Sequence, residues 1–159
     1  MSKILIFGNS GSGKSTLAKK ISTQHNVAHL DLDSIAWQAT KPPTRMPIAE
    51  SAIQIKRFTD INDSWVIEGC YADLLERVIH KADEVVFLNL SIDDCILNAK
   101  NRPWESHKYE SKAAQDSNLD MLIEWISQYP KRTDHFSQQA HLMLFNAFTG
   151  KKAIHTANT

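Results

Sequence analysis

The run Gly8-Asn-Ser-Gly-Ser-Gly-Lys-Ser15 constrains this chain more than any other feature. It follows a short apolar stretch, Lys3 to Phe7, and precedes Ser15 to Gln24, where Leu17, Ala18 and Ile21 fall at helical spacing. The spacing G-x-x-x-x-G-K-S/T, set between a strand and a helix, is the pattern of a loop that folds its main-chain amides around a phosphate. The start of the helix adds the positive end of its dipole to the same place. A strand that feeds such a loop must be buried on both faces, and the Ile-Leu-Ile-Phe run suits that.

The rest of the chain repeats the alternation of strand and helix. Val27 to Leu30 reads as a second strand, closing on Asp31 and Asp33, and Ser64 to Glu68 as a third. Asp83 to Leu90 is a clear β run, and Lys151 to His155, after Gly150, suits a last edge strand. Helices are expected over Ile48 to Ile61, from Ser91 onward with that serine as N-cap, over Asp116 to Gln128 and over Phe136 to Phe148. The prolines of Lys41 to Pro47 exclude regular helix there. The polar segment 101–115 is expected to be a lid. Such alternation predicts a single α/β domain built on a parallel sheet with helices on both faces.

Composition narrows the function classes. Apolar residues are 42% of the 159 and charged residues 23%, ordinary globular usage. Lysine plus arginine equals aspartate plus glutamate at 18 each, so there is no electrostatic reason to expect nucleic acid or a membrane surface as partner. The apolar run at the N-terminus is too short for a signal peptide. Cys70 and Cys95 have neither a C-x-x-C spacing nor metal-ligand spacing to histidine, as expected of reduced thiols in a cytoplasmic protein.

On the loop reading, Gly8, Asn9, Ser10, Gly11, Ser12, Gly13, Lys14, Ser15 and Thr16 hold the nucleotide, expected to be ATP with Mg2+. Lys14 is expected to reach the β- and γ-phosphates, Ser15 to ligate the metal and Thr16 to bond the α-phosphate. Here the sequence resembles the P-loop small-molecule kinases, the superfamily of adenylate and shikimate kinases. It is most similar to the bacterial group labelled topology modulation protein or adenylate kinase-like ATPase. The segments that carry the resemblance are Ile4 to Thr16, His29 to Trp37, Trp65 to Tyr71 and Asp83 to Leu90. The resemblance implies a five-stranded parallel sheet ordered 2-3-1-4-5, a P-loop NTPase fold, and a lid over the nucleotide. One departure stands out: Glu68-Gly69 is followed by Cys70-Tyr71, where adenylate kinases continue with phenylalanine, proline and arginine.

The acids and arginines complete the expected site. Asp31 and Asp33, one apart at the end of the second strand, should face one site, as i and i+2 do on an extended segment. Asp31 is expected to hold magnesium through water, and Asp33 to take the acceptor's hydroxyl proton, as the similar Asp-x-Asp of shikimate kinases implies. Glu68 is expected at the metal opposite Ser15. Arg102, at the start of the lid, and Arg132 are the candidates to offset charge on the moving phosphoryl group. Arg45 and Arg77 are candidates for the acceptor, whose pocket is expected within residues 34–62. Trp37 and Trp104 could flank a ring, whereas Trp65 and Trp125 read as core. The leading expectation is an ATP- and magnesium-dependent kinase acting on a small molecule. A nucleoside monophosphate kinase and an ATPase acting as a nucleotide-regulated binding protein are the alternatives.

Overall fold

The computed structural model describes residues 2–158. Its strands are β1 (Lys3–Gly8), β2 (Ala28–Asp31), β3 (Trp37–Gln38), β4 (Thr44–Arg45), β5 (Trp65–Gly69), β6 (Glu84–Leu88) and β7 (Lys151–His155). The helices are α1 (Lys14–His25), α2 (Asp33–Ala36), α3 (Ile48–Ile61), α4 (Ala72–Leu75), α5 (Ile92–Lys100), α6 (Lys112–Ser117), α7 (Leu119–Ser127) and α8 (Gln138–Ala147). A 3-10 turn, Ile79–Lys81, leads into β6.

Five strands form one parallel sheet in the order β2-β5-β1-β6-β7. Counted along the chain within that sheet, the order is 2-3-1-4-5, as the resemblance implied. The remaining two strands, β3 and β4, pair as a small antiparallel hairpin outside it. This hairpin lies in the proline-rich region, where no strand is expected from the sequence.

The central strands explain the two faces. Leu5, Phe7, Ile67, Val85 and Phe87 point to one side and join Ile55 of α3 and Leu144 of α8. Ile6, Val66, Val86 and Leu88 point to the other, against Ala18 of α1, Cys95 of α5 and Ile126 of α7. Alternate residues of one strand thus feed opposite cores, as the period of two requires. Trp65, Phe7 and Phe87 are wholly buried, each worth roughly 1.5–3 kcal/mol in apolar area removed from water.

Several expectations need correction. The helix expected over 116–128 is two helices, broken at Asn118, and α6 starts at Lys112, within the expected lid. The irregular part of that lid therefore ends at Ser111, whose hydroxyl accepts from the Ala114 amide and caps α6. Trp125 is not core: it lies 37% exposed. His141, by contrast, is fully buried where a surface role is the ordinary one for a histidine.

Candidate functional site

The loop is built as its glycines require. Gly11 and Gly13 have φ of 76° and 89°, a left-handed backbone that side chains disfavour, and Gly13 is the N-cap of α1. A Cβ on Gly11 would lie 2.4 Å from the Cys95 carbonyl oxygen. Lys14 Nζ donates to the Asn9 carbonyl at 2.7 Å, across the turn and over the mouth of the loop.

Register brings the acids beneath it. Asp31 on β2 stands opposite Glu68 on β5, and Glu68 stands opposite Ile6 on β1, all at the carboxyl edge where the loop begins. Glu68 is buried, and its Oε2 accepts from the Ser15 hydroxyl at 2.8 Å and faces His29 Nε2 at 3.0 Å. A hard carboxylate and a hydroxyl thus meet under a phosphate-type loop, with a second carboxylate on the adjacent strand. That donor set fits magnesium, a cation held by few protein oxygens.

The Asp pair is held differently from the expectation. β2 ends at Asp31, and Asp33 opens α2, so the two do not share an extended segment. They converge because the chain turns: the Asp33 amide donates to Asp31 Oδ1 at 2.9 Å. Lys108 then bridges both, with Nζ 2.8 Å from Asp33 Oδ2 and 4.0 Å from Asp31 Oδ2. Burial, reinforced by the charges of Glu68 and Asp33, pushes the Asp31 carboxyl up to about 6. Burial also works to raise Asp33, but the Lys108 ammonium and the Tyr71 hydroxyl outweigh it and hold that carboxyl below its usual value. Burial acts to lower the Lys108 ammonium, and Asp33, Asp31 and Glu105 overcome it, so its pKa rises.

Lys108 is the residue that the sequence reading missed. It belongs to the irregular segment between α5 and α6, and Glu105 Oε2 approaches the same ammonium at 3.4 Å. Nothing in the sequence separates it from a surface lysine. Tyr71 was missed as well. Its hydroxyl donates to Asp33 Oδ1 and accepts from Trp37 Nε1 at 2.8 Å, so Trp37 acts through its N–H rather than as a flat ring against a ligand.

A cleft of about 280 Å³ opens on part of this set, with Asp31 and Tyr71 behind its lining rather than in it. Ser10, Gly11, Gly13, Lys14, Ser15 and Thr16 line it from the loop, Asp33, Glu68 and Cys70 from the strand edge, and Arg102, Glu105, Lys108 and Tyr109 from the segment 101–111. Burial pushes the Cys70 thiol up to about 12.

The arginines divide. Arg102 lines the cleft and pairs with Glu105 at 3.0 Å. Arg132 does not line it: its guanidinium stacks 3.7 Å above the Trp125 ring, donates to the Trp125 carbonyl at 2.7 Å and faces Asp134. Arg77 is exposed and also lies outside the lining. Arg45 is engaged by Asp73, with Nη2 3.1 and 3.3 Å from its two carboxylate oxygens, and sits against the rings of Tyr71, Phe136 and Trp37. Of the four arginines expected at a ligand, the cleft lining includes Arg102 and not Arg45, Arg77 or Arg132. Trp104, 46% exposed, gives its N–H to the Tyr109 carbonyl.

A parallel sheet of order 2-3-1-4-5, with a glycine-rich loop between its central strand and first helix, is the P-loop NTPase fold. No family model and no curated protein matches the chain. Among solved structures, it is similar to a shikimate kinase from Bacteroides thetaiotaomicron, at 18% identity over 82% of this chain and 80% of that one, with a TM-score of 0.49. It is similar also to a deoxyadenosine kinase from M. mycoides with bound dATP, at 14% identity over 97% and 90%, with a TM-score of 0.49. Likenesses this distant carry no substrate and no residue role across. Among the described residues, no helix is long and apolar enough to cross a membrane.

Proposed function

We propose that this protein is a magnesium-dependent ATP phosphotransferase acting on the hydroxyl of a small molecule. The observation that carries the reading is the 2.8 Å contact of the Ser15 hydroxyl with buried Glu68, directly below the glycine loop. In this reading the amides of residues 8–16 bind the polyphosphate, with Lys14 released from the Asn9 carbonyl to meet it. Magnesium, when bound, offsets charge on the phosphate oxygens; Ser15, Glu68 and Asp31 are the residues that would hold it.

Asp33 takes the proton from the acceptor hydroxyl. The acceptor oxygen bonds to the γ-phosphorus, the bond from that phosphorus to the bridging oxygen breaks, and ADP departs with the electron pair. Tyr71 holds Asp33 in orientation through its hydroxyl. Arg102 and Lys108, on the lid, supply positive charge over the cleft. Catalysis is then mostly positioning and charge, as phosphoryl transfer demands.

Arg45 is held by Asp73 and Arg77 lies outside the cleft, so a free arginine fork for an acceptor phosphate is absent among the described residues. That favours a hydroxyl compound over a nucleoside monophosphate. The test is purified protein with ATP and magnesium, screened for ADP release against nucleosides, sugars, hydroxy acids and the four nucleoside monophosphates. Acceptor-dependent release from a compound of the first three classes supports the reading. Release only with monophosphates, or a protein that binds no ATP by titration calorimetry, overturns it.

A further inference from the structure

The crest of the loop is held from outside by two asparagines. Asn98, on α5, donates through Nδ2 to the Gly11 carbonyl at 2.8 Å and to Asn158 Oδ1 at 2.8 Å. Asn158, three residues beyond β7, donates through Nδ2 to the Ser12 carbonyl at 3.0 Å. The space that a Cβ on Gly13 would need is already taken, for it would lie 2.8 Å from that same nitrogen. The asparagine pair therefore contacts three consecutive residues of the turn.

The peptide plane turns this contact into an effect on the cleft. In a trans peptide the carbonyl and the next N–H point in opposite directions. Drawing the Gly11 carbonyl toward Asn98 aims the Ser12 N–H the other way, where it donates to the Asn9 carbonyl at 3.2 Å and closes the turn. Drawing the Ser12 carbonyl toward Asn158 turns the Gly13 N–H toward the cleft that Gly13 lines. Two left-handed glycines give a backbone with many alternative conformations, so an external hold has much freedom to remove.

We infer that Asn158 and Asn98 are positioning residues of the nucleotide site: together they hold the loop carbonyls outward and so preorganise its amides for a polyphosphate. This rests on the nucleotide-binding reading above. Neither residue touches the nucleotide in this account, and the segment after β7 becomes part of the binding machinery although it contributes no chemical group to the cleft.

The experiment is calorimetric binding of magnesium-ATP to wild type, Asn158→Ala, Asn98→Ala and the double variant, with ADP release measured in parallel. Each single variant should weaken ATP binding by about fivefold, the worth of one or two uncharged hydrogen bonds, with kcat changed less than about twofold. The double variant should bind little worse than the poorer single one, because the two side chains form one unit. Affinities within twofold of wild type, additive losses, or a fall in kcat at unchanged affinity would each overturn the inference. A wild-type protein that binds no ATP would instead defeat the nucleotide reading itself, so the two failures are told apart.

Discussion

The loop side and the acid side of the cleft are built by different means. On the loop side the lining is one short stretch of chain, Ser10, Gly11 and Gly13 to Thr16, with the side chains of Lys14 and Ser15 among it. On the acid side the groups are side chains from separate segments: Asp31 at the end of β2, Asp33 at the start of α2, Glu68 on β5, Tyr71 before α4, and Glu105 and Lys108 between α5 and α6. The loop backbone keeps its geometry under the hold of Asn98 and Asn158 on its carbonyls. Side chains from separate segments keep theirs only while those segments stay docked. On the proposed function, nucleotide binding should depend on the asparagine hold of the loop, and acceptor chemistry on the docking of segment 101–111.

Four substitutions test that contrast. Lys14→Ala removes the one cation that the loop contributes at its mouth, and turnover should fall by about 10³-fold or more. ADP release at near-wild-type rate in that variant would break the account of the loop side. Glu68→Gln keeps the shape and removes the charge opposite Ser15, so activity should drop on the order of 10²-fold and the magnesium requirement should rise. A magnesium titration that overlays the wild-type curve would remove Glu68 from the metal.

Lys108→Ala should sharpen the contrast. It removes the ammonium shared by Asp33, Glu105 and Asp31, and kcat/KM for the acceptor should fall about tenfold while ATP affinity holds. The lid between 101 and 111 should also be cut faster by protease. Equal losses for both substrates would show that the two sides are not separate.

The smallest effect concerns stability. The Asp31 carboxyl is raised from 3.8 to about 6 in the fold, so the folded state carries a penalty for the ionised form. That penalty is absent below pH 3.8, grows between 3.8 and about 6, and is fully present above 6. Asp31→Asn keeps the oxygen that accepts from the Asp33 amide. In magnesium-free buffer it should therefore melt about 2–4 °C above wild type at pH 7.5 and lose that gain near pH 4. A gain of equal size at both pH values would mean that packing, not charge, is responsible.

Much of this was legible beforehand. The helix over Ile48 to Ile61 and the strand over Lys151 to His155 fall where periodicity places them, because apolar spacing and a terminating Gly150 leave little else available. The break at Asn118 was not legible, since the leucine and isoleucine pattern begins only after it, at Leu119, and the polar residues before it carry no stop signal. The arginines show the same limit. In sequence, Arg102 and Arg132 are candidates for the phosphoryl group and Arg45 and Arg77 for the acceptor, with no local pattern to show which reach a cleft. Only Arg102 lines the cleft, for reasons that lie in Asp73, Trp125 and Asp134.

The phosphate loop and the alternation of strand and helix are carried by residues near one another along the chain, whereas the order of the sheet was implied by the family resemblance. Tertiary structure alone decided that Lys108 would reach Asp33, that Tyr71 would orient it, and that Asn98 and Asn158 would hold the loop. These contacts join residues 33 and 108, or 12 and 158, and depend on how packed elements bring distant side chains within 3 Å of one another. No local pattern encodes such distances; burial and register do.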